Sequence, residues 1–433
     1  MRTMQEHPLR YVLANEIHDR PFPDIGAPEQ ASYLVLFSSE DTRQADRKHL
    51  LALCERYGSD RPPEDASHFA VDLGSFKLKW ERHSEFTAYT FFHRGEFARP
   101  FAEPPVRLVP KEWLSAMPGE LIYAVHLAVE PGSAPERTVD DLSEFFVTED
   151  LCSSYVGNRA AQLWTDFRIH EDGFGRILIS DMHLAHGQAG RLAQRLLEIG
   201  TYRTMALLAL PLARENGPTI MNIDHRLAEL TQRINDLDGL EEERQLLDNL
   251  MRLSGEIEAI AASTVYRFSA TEAYYPLVGA RLAKLREERV KGHSSLGDFL
   301  DRRLGPATRT CQSIAARQEM LARRVARAAN LLRTRIDITL ERQNRDLLAS
   351  MNRRARLHLR LQQTVEALSV AAITYYLVSL VGYALSALSS TGVEVDVGLV
   401  RGLSIPLLAA LAWFGMHRAR RAILGEGTQE DGE

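Results

Sequence analysis

Several groups of residues have types and spacings that could do chemistry. Asp181, His183 and His186 offer carboxylate and imidazole donors of the kind a divalent metal takes, in a D-x-H-x-x-H spacing. That spacing belongs to no established metal motif, and such residues are also common in loops ahead of helices. Two other stretches alternate charged and imidazole side chains: Glu16, His18 and Arg20, and Lys79, Glu81, His83 and Glu85. On extended backbone every second residue shares a face. The two stretches could therefore meet in one polar site, or form the solvated sides of edge strands. Toward the C-terminus Thr364, Leu368, Ala371, Tyr375, Ser379, Gly382 and Ser386 step by three and four, giving one helical stripe of small, polar and aromatic side chains. Around a symmetry axis that stripe would line a narrow path. In an ordinary bundle it would be a packing face with locally bonded hydroxyls. Glu366 would stand at the cytoplasmic mouth as an acidic ring, or pair with Arg360. Glu394 and Asp396 follow the other end, where they would attract cations or be solvated.

The chain that must position these residues has 433 residues, 45% of them hydrophobic and 25% charged, enough for two or three units with cores. Its formal charge of −6 conceals a polarised distribution. Residues 306–424 hold 17 Arg, no Lys and 7 acidic residues, a local +10 beside the most apolar stretches. That neighbourhood suits a membrane surface or an oligomer axis. No RRM, KH, zinc-finger or basic-zipper signature accompanies the arginines, so nucleic acid is not expected as a partner. Cys54, Cys152 and Cys311 are far apart and odd in number, which fits a reducing cytosol rather than a disulfide framework. The first 19 residues are charged throughout, with no secretory apolar segment.

Residues 367–393 carry no formal charge over 27 positions, and about 20 suffice to cross the hydrocarbon core. A second span needs to begin near Val397, with Arg401 snorkelling outward and Trp413 at the opposite interface. Arg353, Arg354, Arg356 and Arg360 precede the first span, and Arg418, Arg420 and Arg421 follow the second. By the positive-inside rule both termini are cytoplasmic and the short acidic connection is external.

The remaining pattern divides the chain into a cytosolic α/β domain over 1–186, antiparallel helices over 187–305 and a stalk helix over 306–366. Transmembrane helices follow over 367–388 and 397–417, joined by an external loop over 389–396, with a cytosolic tail over 418–433. Strands are expected at 33–38, 68–73, 86–92, 121–129 and 176–180, where β-branched and aromatic residues cluster. Helices are expected at 41–57, 138–146, 189–212, 220–237, 241–275 and 277–290. Pro306 suits the first turn of a stalk about 120 Å long. Along it Leu321, Val325, Ala328, Leu332, Ile336, Leu340, Leu347 and Met351 form a coiled-coil-like seam, for which self-association is the economical partner.

Residues 15–21 (Asn-Glu-Ile-His-Asp-Arg-Pro), 79–86 (Lys-Trp-Glu-Arg-His-Ser-Glu-Phe) and 331–337 (Leu-Leu-Arg-Thr-Arg-Ile-Asp) resemble a bacterial family of uncharacterised membrane-anchored proteins. So does the run from Gln343-Asn344-Arg345 through 361–366. That family is a domain of unknown function, and the resemblance brings no activity. The overall plan also resembles the CorA-like metal-ion transporters, which are pentamers around their first transmembrane helix. Their Gly-Met-Asn signature is replaced here by Gly382-Tyr383-Ala384, so the resemblance implies the architecture rather than magnesium selectivity. The expectation is therefore an α+β cytosolic domain, long helices and a transmembrane hairpin in a homo-oligomer, a pentamer by the CorA-like resemblance. Set in the bacterial inner membrane, it would pass ions, cations first. The alternative is a non-conducting membrane-anchored scaffold or sensor whose cytosolic domain binds a ligand or protein. No Walker A, G-x-S-x-G, H-E-x-x-H or paired C-x-x-C motif occurs, so no enzyme is expected, and no cofactor beyond a divalent cation.

Overall fold

The structure, a computed structural model, describes residues 6–16, 22–38, 42–64, 66–135, 137–237, 239–389 and 396–425. It divides into two units, one of Met1–Asp238 with Gln245–Asn330 and one of Gly239–Arg244 with Leu331–Glu433.

The first unit is built on a mixed sheet with helices on both faces. Its strands are β1 (Glu29–Phe37), β2 (His68–Asp72), β3 (Lys77–Arg82), β4 (Phe86–Arg94), β5 (Glu120–Glu130), β6 (Cys152–Val156), β7 (Ala161–Thr165), β8 (Gly175–Asp181) and β9 (Glu288–Arg289). They are ordered β2-β3-β4-β1-β5-β8-β7-β6-β9, with β5 and β8 parallel and the other neighbours antiparallel. The helices are α1 (Arg10–Glu16), α2 (Thr42–Tyr57), α3 (Lys111–Ser115), α4 (Val139–Ser143), α5 (Gln188–Leu207), α6 (Ala209–Arg233), α7 (Leu240–Leu285), α8 (Leu296–Ser389) and α9 (Val397–Gly425). Central strand β1 is covered on both faces: all but its last residue are buried, and its second half, Tyr33–Phe37, is an unbroken run of apolar and aromatic residues. Ala31, Tyr33 and Val35 join the core shared with Leu192, Leu196 and Ile199 of α5. Leu34 and Leu36 point the other way, into the core of Leu50 and Leu53 on α2 and Trp113 on α3.

All five expected strands are present. Strand β3 is interior rather than an edge, because β2 pairs outside it. The pair β6–β7 was not expected; its short, polar Ser153-Ser154 stretch carries little strand signal, and the turn between them uses left-handed backbone at Gly157, Asn158 and Arg159. Helix α8 begins at Leu296, ten residues before the expected stalk, and Pro306 lies inside it. Its true start is the Ser-rich break, where the Glu287 carboxylate accepts the N–H groups of Leu296 (3.2 Å) and Gly297 (2.9 Å). That cap supplies what a first-turn proline would otherwise have signalled. Helix α7 likewise runs through Pro276 without the expected division.

Helices α6, α7 and α8 pack together in this unit. Arg226 of α6 forks onto Glu256 of α7 at 2.7 and 3.1 Å, Arg324 of α8 reaches Asp224 of α6 at 2.5 Å, and Thr264 of α7 meets Gln318 of α8 at 3.4 Å. Leu321, Val325 and Ala328 are buried here. The first part of the expected inter-subunit seam is thus covered by the chain's own helices.

In the second unit Leu332 and Ile336 are also buried, and Arg335 reaches Glu243 of the first α7 turn at 2.6 Å. From residue 341 to 365 every position of α8 is exposed, Leu347 and Met351 included. A Cβ on Gly382 would come within 3.1 Å of Arg401 Nε, so α8 and α9 meet side by side at that point.

Candidate functional site

Among the described residues no group of three or more His, Cys, Asp or Glu side chains is placed to hold a metal ion, so Asp181, His183 and His186 are not brought together as a ligand set. Asp181 instead accepts the N–H of Leu184 at 2.7 Å, shaping the turn ahead of α5. His18, Arg20 and Glu394 lie outside the described residues, and Asp396 accepts the N–H groups of Gly398 (3.1 Å) and Leu399 (3.3 Å) at the start of α9.

Lys79, Glu81 and His83 do reach a cavity, about 190 Å³ in volume, between the sheet and α5. Its charges are paired internally: Lys79 with Glu81 at 3.1 Å, and Arg281 with Glu198. Tyr33 and Thr201 hydroxyls meet at 3.0 Å across the same space. Glu85 is buried away from it, paired with Arg267 of α7. Groups that satisfy one another in this way hold the sheet to its helices and leave no charge for a ligand.

The stripe on α8 does not keep to one environment. Thr364, Leu368, Ala371 and Tyr375 are exposed, Ser379 is half-buried and Gly382 is buried against Arg401. Thr364, Ser379 and Ser386 each donate to a carbonyl four residues back, at 2.8–2.9 Å, so their hydroxyls are satisfied within the helix. Glu366 is half-buried.

A different arrangement has no internal partner for its charge. Along α5, Leu196, Ile199, Gly200, Arg203 and Thr204 occupy one face by their three- and four-residue spacing, and all line a cavity of about 260 Å³ against β5, β7 and β8. Its other walls include Leu121, Val125, Leu163 and Ile177. Gly200 is required there, because a Cβ would lie 2.2 Å from the Tyr123 hydroxyl oxygen. Beside it the Arg203 guanidinium carbon sits 4.9 Å from the Phe167 ring centre and 5.9 Å from that of Tyr123. Among the described residues Arg203 has no carboxylate partner, and burial draws its pKa below the usual arginine value, with Tyr123 acting weakly the other way. Arg203 itself is half-buried, and such ring contacts are worth about 0.5–2 kcal/mol.

Phe167, Arg168 and Arg203 also line a second cavity of about 610 Å³, which Arg214 and Arg303 share. Its two carboxylates are engaged. Asp150 accepts from Arg168 at 2.6 Å and lies 3.7 Å from Arg303, while Asp166 accepts the N–H groups of Val147 and Arg168, each at 3.0 Å. Arg203 and Arg214 are left as surplus positive charge. Spacing analysis missed this site because its polar residues are dispersed over four elements. The one available signal was Arg203 on the otherwise apolar face of an amphipathic helix.

A third cluster joins Ser32, His126 and Asp172. Ser32 Oγ lies 2.9 Å from His126 Nδ1 and accepts the Val106 N–H, and His126 Nε2 is 3.8 Å from Asp172. Phe174 stacks on the imidazole at 4.0 Å. Ser32 is fully buried, so the cluster serves as a packed polar network with no path for a substrate to the hydroxyl.

A mixed sheet and long helices define an α+β protein in which two adjoining cavities share an arginine without a carboxylate partner among the described residues. The chain belongs to the family described as "Protein of unknown function (DUF3422)", whose model matches residues 5–423. No curated protein matches it. Among the described residues two helical stretches, Gln188–Arg233 (α5 with α6) and Leu296–Ala387 within α8, are long and apolar enough to cross a membrane. In the first, half of the most apolar window is buried within the fold; in the second only 6% is. The first expected span, 367–388, falls in the second of these, and the expected span 397–417 is not one of the two.

Proposed function

We propose that this protein is a membrane-anchored binding protein, whose α+β unit takes up an anionic ligand at Arg203. The observation that carries the binding role is the half-buried Arg203 guanidinium, set where two cavities adjoin, with aromatic faces beside it and no carboxylate partner among the described residues. A half-buried cation that lines a cavity and has no counter-charge is available to an incoming anion. Anchoring is supported by the exposed apolar end of α8, and by the arginines before 367–388 and after 397–417, which favour a bacterial inner-membrane hairpin with cytoplasmic termini. Gln188–Arg233 is assigned to the core of the soluble unit instead, since Leu192, Leu196 and Ile223 are buried there.

Two measurements test this reading. Full-length protein should stay in the membrane pellet through alkaline carbonate extraction; release into the supernatant would remove the anchor. In purified, ligand-free protein Arg203→Met should raise the melting temperature by about 2 °C or leave it unchanged, because a half-buried charge with no carboxylate partner is exchanged for an apolar chain of similar length. A fall of about 5 °C would make Arg203 a structural residue and end the case for the site.

Ion passage by a CorA-like homo-oligomer, cations favoured and five subunits expected, is a second reading. It draws on the exposed face of Thr364, Leu368, Ala371 and Tyr375, which α9 leaves open. Tyr375→Ala should then raise cation flux in reconstituted vesicles and Glu366→Gln should lower it. Flux equal to that of empty vesicles in all three proteins would dismiss conduction.

A further inference from the structure

We infer that the ligand is an amphiphilic anion, its hydrocarbon tail in the apolar chamber against α5 and its carboxylate or phosphate head on Arg203. The inference rests on the binding role proposed above and adds the chemistry of what is bound.

The two cavities differ in character on either side of the residues they share. The smaller is walled mainly by Leu121, Val125, Leu163, Ile177, Leu196 and Ile199; of its arginines, Arg176 donates to the Phe145 carbonyl at 2.7 Å and lies 3.7 Å from Asp172, and Arg168 is held by Asp150. The larger has apolar walls too, Leu207, Leu210 and Leu300 among them, but adds four arginines and two carboxylates that are already engaged. Phe167, Arg168 and Arg203 line both, which places the unmatched guanidinium where a chain would change into a head group. A wholly polar anion would satisfy Arg203 and leave the apolar walls unfilled. A neutral hydrocarbon would fill them and leave the charge unpaired. Only a molecule with both parts matches both linings. Leu121 and Ile169 line the chamber yet are 53% and 79% exposed, giving its rim apolar surface over which a chain can enter. Arg214, also without a carboxylate partner among the described residues, supplies a second positive charge on the head-group side, which suits a phosphate.

The test uses the full chain in phosphatidylcholine nanodiscs, with a fluorescent fatty acid, 11-(dansylamino)undecanoate, as the displaced reporter and empty nanodiscs as the blank. Decyl phosphate and decanoate should displace it, whereas 1-decanol and inorganic phosphate should fail at tenfold higher concentration. Shortening decyl to octyl phosphate should weaken binding roughly tenfold, the loss of two buried methylenes. Arg203→Met should weaken decyl phosphate at least tenfold, and Arg203→Lys should retain part of the affinity, with both variants checked for an undiminished melting temperature. A second arm replaces some of the phosphatidylcholine with phosphatidylglycerol. Displacement from within the bilayer would assign the head group to a membrane lipid, and displacement by decyl phosphate alone would assign it to a soluble acyl anion.

Decanol competing as well as decyl phosphate, or undiminished affinity in Arg203→Met, would overturn the inference. If inorganic phosphate binds through Arg203 as tightly as decyl phosphate, the amphiphile is wrong while the binding role stands. If no anion binds and Arg203→Met melts well below the wild type, both fall together.

Discussion

His126 and Gly200 show how single positions on neighbouring elements hold the sheet and α5 in place. Burial pushes the His126 pKa down to about 4, against the weaker opposing pull of Asp172. The folded state therefore keeps the imidazole neutral, while the unfolded chain protonates it near pH 6.5. Its stabilising contribution is complete above pH 6.5 and is lost as pH falls toward 4, a loss on the order of 3 kcal/mol. Melting temperatures measured across that window should fall with acidity in the wild type and fall less in His126→Asn. Equal slopes in the two proteins would show that the imidazole is not held neutral by the fold. Gly200 acts through space rather than charge. Gly200→Ala should destabilise the protein by about 1–3 kcal/mol in denaturant titration, because the added methyl meets the Tyr123 ring and hydroxyl. No loss of stability would mean that Tyr123 has another position available.

At the scale of elements, α8 changes its neighbours along its length. Its apolar spacing is nearly uniform from Leu321 to Met351, yet Leu321 is fully buried in the first unit and Leu347 is 59% exposed in the second. One repeat thus serves two purposes. Leu321→Asp should cost about 3 kcal/mol or more by burying an unpaired carboxylate among α6, α7 and α8, visible as a lowered melting temperature. Leu347→Asp should leave that melting temperature unchanged and, if the exposed stretch joins subunits, reduce the mass measured by light scattering in detergent. A double variant, Leu347→Asp with Met351→Asp, that keeps its full oligomeric mass would refute self-association through this stretch. The same element shows why the stripe from Thr364 to Ser386 is not one surface: Gly382 gives way to Arg401, whereas Tyr375 faces outward.

For the molecule as a whole, the membrane reading makes a prediction about sidedness. The three native cysteines are buried, and burial raises the pKa of each thiol, that of Cys152 to about 12. Their thiolate forms are scarce at neutral pH, so they give little background to maleimide reagents. Ser390→Cys should be labelled by an impermeant maleimide from outside the cell, and Gly427→Cys only after the membrane is opened. Both positions lie outside the described residues, and the prediction rests on the arginine distribution alone. Labelling of both from one side would exclude the hairpin.

The apolar length of α8, the five strands richest in β-branched and aromatic residues, and the long helical stretches were legible in the chain, because each is fixed by periodicity over neighbouring residues. The break before Leu296 was legible too, although the helix was expected to start at Pro306, since the Glu287 carboxylate that caps it comes from a preceding segment and has no fixed spacing. Burial and pairing were decided only by the tertiary structure. Lys79 looked like the polar side of an edge strand until β2 was seen to pair beyond β3. Leu321 and Leu347 carry the same local signal, and only the packing of α6 and α7 separates them. Arg203 is the extreme case: its place on the apolar face of α5 is the one local signal, and nothing near it in sequence shows what faces it. Its environment comes from Tyr123 on β5 and Phe167 after β7, brought to α5 by sheet order, which no local period encodes.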